Sequence, residues 1–230
     1  MSEPSETAKV LLHQMLKALD YLACNRYIHR DVKPANILYT IIPGEGYVFQ
    51  LADFGVCNFI DGATTCVGTR IFMAPEVLQN KLTQQTPKVD VWSLFVTLAV
   101  ALDVAGYRRK MDLTYQECID AAAEAAATPH FVDLKDMAAI EVQQRASAAQ
   151  MLVKFYNGQG LTTPISLVLE LSTLKSSTEP MNINATASAC TTGFTPSDVN
   201  PPHPPIVSMA REQPMRNFSL SKAPVRRRRH

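Results

Sequence analysis

Hydrophobic residues near the start of the chain recur three and four positions apart. Leu12, Met15, Leu16, Leu19 and Leu22 line one side of the stretch 7–24, with His13, Lys17 and Asp20 on the other, which predicts an amphipathic helix. Two short apolar runs, 37–42 and 47–52, flank Pro43-Gly44-Glu45-Gly46 and predict a β-hairpin. The most apolar stretch is 91–102, bounded by Asp90 and Asp103. A helix apolar all round at that length is a buried core helix, and it is shorter than the about 20 residues that span a bilayer. Thr114 with Glu117, and Ser147 with Gln150, have the spacing of capping boxes. Helices are expected to start there, the first running through the Ala-rich run 121–127, and residues 133–144 are expected to be helical between them. The expected fold class is mainly α with a small β-hairpin.

Composition changes this picture at one place. Beyond about residue 155 the chain holds most of its 15 prolines and many Ser, Thr and Asn. Such a segment buries too little apolar surface to offset its ordering entropy. We therefore expect one domain over 1–155 and a largely disordered Pro/Ser/Thr-rich tail over 156–230. One exception is a short helix built on Ile165, Leu167, Val168, Leu169, Leu171 and Leu174, read equally as a docking helix for a partner or as a peripheral helix packed on the domain. The formal charge of +1 over 230 residues gives no reason to expect a nucleic-acid partner. Five scattered cysteines without a CxxC pair suit a reduced compartment. The opening MSEPSETAK has no basic stretch leading into an apolar run, so no signal peptide and no membrane partner are expected. The expected location is cytoplasmic or nuclear.

Candidate chemistry begins at His29-Arg30-Asp31-Val32-Lys33-Pro34-Ala35-Asn36-Ile37-Leu38, followed by Asp53-Phe54-Gly55. Phosphoryl transfer asks for positioning and charge neutralisation more than covalent chemistry. A carboxylate must orient the acceptor hydroxyl, oxygen ligands must hold a divalent cation, and a cation should follow the transferring phosphate. Asp31, Lys33, Asn36 and Asp53 supply such groups. HRDVKPAN followed by DFG resembles the eukaryotic serine/threonine protein kinase family. The resemblance implies that Asp31 is the catalytic base, that Lys33 contacts the transferring phosphate, and that Asn36 and Asp53 hold Mg²⁺. It implies ATP as the second cofactor, with Leu38 as the floor under the adenine ring. His29 and Phe54 would stack in the apolar column that links the two lobes. Lys33, two residues after Asp31, resembles the serine/threonine branch.

Further segments resemble the same family in the same order. They are Gly68-Thr69-Arg70-Ile71-Phe72-Met73-Ala74-Pro75-Glu76, Asp90-Val91-Trp92-Ser93-Leu94 and Arg145-Ala146-Ser147-Ala148-Ala149-Gln150-Met151-Leu152. By resemblance Glu76 and Arg145 form a buried ion pair, and Asp90 accepts hydrogen bonds from the catalytic-loop backbone. Arg30 would meet a phosphate on the activation segment 53–76, for which Thr65 is the candidate acceptor. Phe95 stands where a small residue is common in the family, and Glu141-Val142 replaces a frequent Asp-Pro. The resemblance covers roughly residues 5–155 and implies a protein-kinase-like fold, the C-terminal lobe with the N-terminal lobe absent. The chain has no G-x-G-x-x-G, and no strand lysine or paired helical glutamate can be placed. The implied function is ATP-dependent phosphorylation of Ser/Thr on protein substrates, with an N-lobe supplied upstream or in trans. The alternatives are a non-catalytic kinase-like interaction module or a truncated reading frame.

Overall fold

Helix α1 (Glu6–Cys24) forms where the helical spacing places it, burying Leu11, Leu12, Met15, Leu16 and Leu19. The computed structural model describes residues 6–60, 69–79, 85–110 and 113–168, together with the backbone of 213–214. Two short strands, β1 (Tyr27–Ile28) and β4 (Asn58–Phe59), pair antiparallel on either side of the hairpin in sequence. Between them β2 (Ile37–Ile42) and β3 (Gly46–Leu51) pair in the register Ile37↔Leu51 to Ile42↔Gly46. The turn needs left-handed backbone at Gly44 (φ 88°) and Gly46 (φ 95°), which glycine adopts at little cost. A two-residue strand β5 (Gln213–Pro214) lies on the other edge of β2, giving the order β3-β2-β5.

The rest is helical. A four-residue α2 (Pro75–Leu78) precedes α3 (Lys88–Leu102), which is buried along nearly its whole length. α3 stops at Asp103, in the left-handed region (φ 52°), and Arg108 donates from Nε to the carbonyl of Val100. Phe95 is fully buried and meets Phe131 edge-on at 5.3 Å, so the unusual bulk in α3 has a partner ring. α4 (Tyr115–Ala126) and α5 (Ala148–Tyr156) start at Thr114 and Ser147 with both reciprocal bonds of a capping box in place.

Two local expectations change. Residues 133–144 are not one helix: a 3₁₀ turn covers Val132–Ala138 and the chain then leaves helical geometry. The carbonyls of Ala139 and Ile140 accept from the Arg145 guanidinium instead of from a following turn. Asp20, expected on the polar face of α1, is buried. Its carboxylate accepts from the N–H of Thr162 (2.7 Å), the N–H of Thr163 (3.0 Å) and the Thr163 hydroxyl (2.6 Å). The segment after α5 thus runs back along α1, with Leu161 packed on the core. Gly160 (φ 83°) has no room for a side chain beside the Lys17 stem. Of the residues expected in a docking helix, Ile165–Leu167 form one exposed 3₁₀ turn, and those from Leu169 onward lie outside the described residues. The tail apart from 213–214 also lies outside them.

Candidate active site

α3 is the rail on which the segment carrying Asp31 rests. Its polar residues Asp90, Ser93 and Thr97 are spaced i, i+3, i+7 and so share one face. The Asp90 carboxylate accepts from the N–H of His29 (2.7 Å) and of Arg30 (2.8 Å). The Ser93 hydroxyl donates to the carbonyl of Phe72 (2.7 Å), and the Thr97 hydroxyl to that of Val32 (3.4 Å). Burial pushes the Asp90 carboxyl up to about 6, against the opposing pull of the two N–H groups and the Arg30 charge. Arg30 is held in left-handed backbone (φ 67°), as is Asp53 (φ 61°). Such conformations cost non-glycine residues about 1–2 kcal/mol and collect at functional sites.

Asp31 follows directly. One carboxylate oxygen accepts from the Lys33 ammonium (2.6 Å) and the Asn36 amide (2.9 Å), the other from the backbone N–H (3.1 Å) and hydroxyl (3.2 Å) of Thr69. Lys33 also donates to the Thr69 hydroxyl (2.8 Å). Burial acts to raise the Asp31 carboxyl. Lys33, then Asn36 and Thr69, outweigh it and hold the group below its ordinary value. It is therefore ionised at neutral pH and surrounded by donors. Thr69 was not among the expected site residues. Its place in the segment 68–76 was readable, but its contact with Asp31 depends on how that segment folds back.

Asn36 spends its amide N–H groups on Asp31, on the main-chain carbonyl (2.9 Å) and on the carboxylate. Its amide oxygen is left for a hard cation. The hairpin brings the Asp53 segment beside it, because the Ala52 N–H donates to the Asn36 carbonyl (2.8 Å). Asp53 is exposed, and one of its oxygens accepts from the N–H of Gly55 (3.3 Å). Among the described residues no group of three or more His, Cys, Asp or Glu side chains could hold a metal ion. A cation at Asn36 and Asp53 would therefore take its other ligands from phosphate oxygens and water, the habit of Mg²⁺. The donor types of these residues fit the Mg²⁺–nucleotide that the resemblance implies. Leu38 is half-buried on β2, two residues beyond Asn36.

His29 is fully buried and meets Phe54 edge-on at 4.9 Å. Burial pulls its imidazole below the ordinary value. A neutral ring whose Nδ1 accepts from the Asp31 N–H (3.4 Å) and whose Nε2 donates to the Ala52 carbonyl (3.1 Å) satisfies both nitrogens. It links the catalytic segment to the segment carrying Asp53. Phe54 itself is 51% exposed, so its other face is uncovered among the described residues. Arg30 donates from Nε to the Val56 carbonyl (2.7 Å). Thr65 lies outside the described residues. Glu76 and Arg145 form the expected pair, bidentate at 2.7 and 2.9 Å, far from Asp31 in sequence and serving the fold.

A half-buried carboxylate ringed by Lys, Asn and Thr donors, with Asn36 and the Asp53 segment beside it, is the arrangement that the resemblance to protein kinases implies. The chain belongs to the protein kinase family: the protein kinase domain model matches residues 1–157. Among similar proteins, serine/threonine-protein kinase TIO of Arabidopsis thaliana is 42% identical over 99 residues, 41% of this chain and 7% of that protein. Serine/threonine-protein kinase 10 of Homo sapiens is 40% identical over 105 residues, 43% of this chain and 10% of that protein. A probable serine/threonine-protein kinase, KIN1 homolog, of Encephalitozoon cuniculi is 38% identical over 125 residues, 49% of this chain and 21% of that protein. The chain thus spans about a fifth or less of the length of these relatives.

Proposed function

We propose that the chain is the C-terminal lobe of a serine/threonine protein kinase, serving ATP-dependent phosphorylation of Ser/Thr hydroxyls on proteins. The observation that carries this reading is the Asp31 carboxylate, kept ionised yet spatially fixed by Lys33, Asn36 and Thr69. An acceptor hydroxyl placed at its exposed side would hydrogen-bond to it and be oriented for in-line attack. Lys33, which bridges Asp31 and Thr69, would follow the charge of the transferring phosphoryl group. Asn36 and Asp53 would hold Mg²⁺, which neutralises charge on the phosphates. Leu38 would lie under the adenine ring. Phe54 and His29 would continue as a stack into an upper lobe, which would roof the nucleotide and exclude water. Arg30 and Thr65 would form the regulatory pair of the activation segment.

A second reading, a kinase-like interaction module, is favoured by one observation. Tyr21 and Phe54, both exposed, border a groove between α1 and β3 lined by Met15, Leu22 and Leu51. The same surface suits an upper lobe, so activity decides between the readings. The chain is assayed with γ-labelled ATP and a Ser/Thr peptide, alone and fused behind the upper lobe of a related kinase. We expect negligible transfer alone and, in the fusion, transfer abolished by Asp31→Asn. A fusion that binds nucleotide but transfers nothing above the Asp31→Asn background would overturn the catalytic reading in favour of the module.

A further inference from the structure

The two edges of the β2–β3 hairpin are closed in different ways. The Ala52 N–H to Asn36 carbonyl bond sets the alternation of the ladder. Backbone groups of Leu38 therefore face β3, while those of Ile37, Tyr39 and Ile41 face the opposite edge. On β3 the outward groups belong to Tyr47 and Phe49. They are met by one side chain of α1: Gln14 accepts from the Phe49 N–H (2.6 Å) and donates to the Tyr47 carbonyl (3.4 Å). The outer edge of β2 is met differently. It receives β5, in the register Tyr39↔Gln213 and Leu38↔Pro214.

We infer that the outer edge of β2 is a strand-acceptor site, and that its occupant is the segment of this same chain centred on Gln213–Pro214. The sequence of that segment fits the register. Tyr39 faces β5, so the opposed Gln213 is the residue that exchanges backbone hydrogen bonds with it. Pro214 stands opposite Leu38, whose backbone is turned to β3. At that position the N–H of residue 214 would point away from β2, so proline gives up no ladder bond. Without an N–H at 214 the far side of β5 is also a poor template for another strand, which limits edge-to-edge association. The mode is addition of an extended segment to a sheet edge, with main-chain bonds providing the affinity. β5 also lies against the Pro34–Asn36 turn. Its docking thereby braces the backbone that presents Asn36, whatever that residue binds.

Amide exchange in the 230-residue chain tests this, beside a variant ending at residue 205 and the full-length Gln213→Pro. Gln213→Pro removes the N–H facing Tyr39 and leaves the rest of the tail intact. We expect the Tyr39 amide to exchange roughly two- to tenfold faster in both variants, the factor for one net backbone hydrogen bond. The Leu38 amide, paired with β3, should be unchanged. A synthetic peptide of residues 208–219 added to the shortened chain should restore Tyr39 protection. Equal Tyr39 exchange in all three proteins would overturn the inference. So would Tyr39 protection that grows with protein concentration, which would assign the strand to a second copy.

Discussion

Glu76→Ala should destabilise the fold by about 3 kcal/mol, near the lower end of the 3–5 kcal/mol for removing one partner of a buried ion pair. Arg145 is fully buried, and its guanidinium places every N–H group. Nε donates to Ala139 (2.8 Å), one terminal nitrogen to Glu76 and Lys88 (2.7 and 3.2 Å), the other to Glu76 and Ile140 (2.9 and 3.1 Å). Its plane also lies over Trp92 at 5.2 Å. Without Glu76 the cation keeps three carbonyl dipoles but loses the only negative charge among these contacts. The Glu76 side chain is 14% exposed, so water can enter the vacated space, and this moderates the loss. For a urea slope of about 2 kcal/mol/M, the midpoint should fall by about 1.5 M. That is a large share of the total 5–15 kcal/mol expected of a domain. Glu76→Ala combined with Arg145→Met should unfold at higher urea than Glu76→Ala alone, because no stranded charge remains. A Glu76→Ala midpoint within about 0.3 M of wild type would refute the reasoning.

Asp90 titrates in the folded chain at about 6, above the about 3.9 of an unfolded aspartate. The folded state then binds more protons between those values, so this group's contribution falls as pH rises from about 4 to about 6, by about 3 kcal/mol in all. Urea midpoints across that range should show the slope in wild type and its loss in Asp90→Asn; parallel profiles would count against it. Asp53→Ala should abolish calorimetrically detected Mg²⁺–nucleotide binding in the fusion with an upper lobe, and equal heats for the two proteins would remove Asp53 from the metal site. Asp20→Ala strands two backbone N–H groups and a hydroxyl and should cost about 2 kcal/mol or more. The amides of Thr162 and Thr163 should then exchange faster, and unchanged rates would show that Asp20 does not hold the segment.

The candidate site residues were legible because each sits inside a short contiguous motif that resembles the family's. Asp31, Lys33 and Asn36 occupy one loop, and the hairpin that brings Asp53 to them is marked by its own turn residues. What escaped were contacts between segments that are distant in the chain. Thr69 reaches Asp31 across 38 positions, and Asp20 is buried by a segment 142 positions later, where a helical wheel shows only a polar face. The same limit produced the error at 133–144. Helix was expected there from its place between two capping boxes, while Arg145 draws the carbonyls of Ala139 and Ile140 to itself. α3 shows the point in reverse. By resemblance Asp90 alone was expected to hold the loop backbone, and nothing in the sequence marked Ser93 or Thr97. Only as a stripe at i, i+3 and i+7 do these three become one functional face, since every one of them is buried and bonded to a loop. In a helix apolar all round, buried polar residues must find partners or cost the fold. Three such residues on one face therefore require polar backbone opposite them. The loops they hold carry Asp31 and the segment beyond Thr69, so the stripe places the geometry around Asp31 under the same constraint as the core.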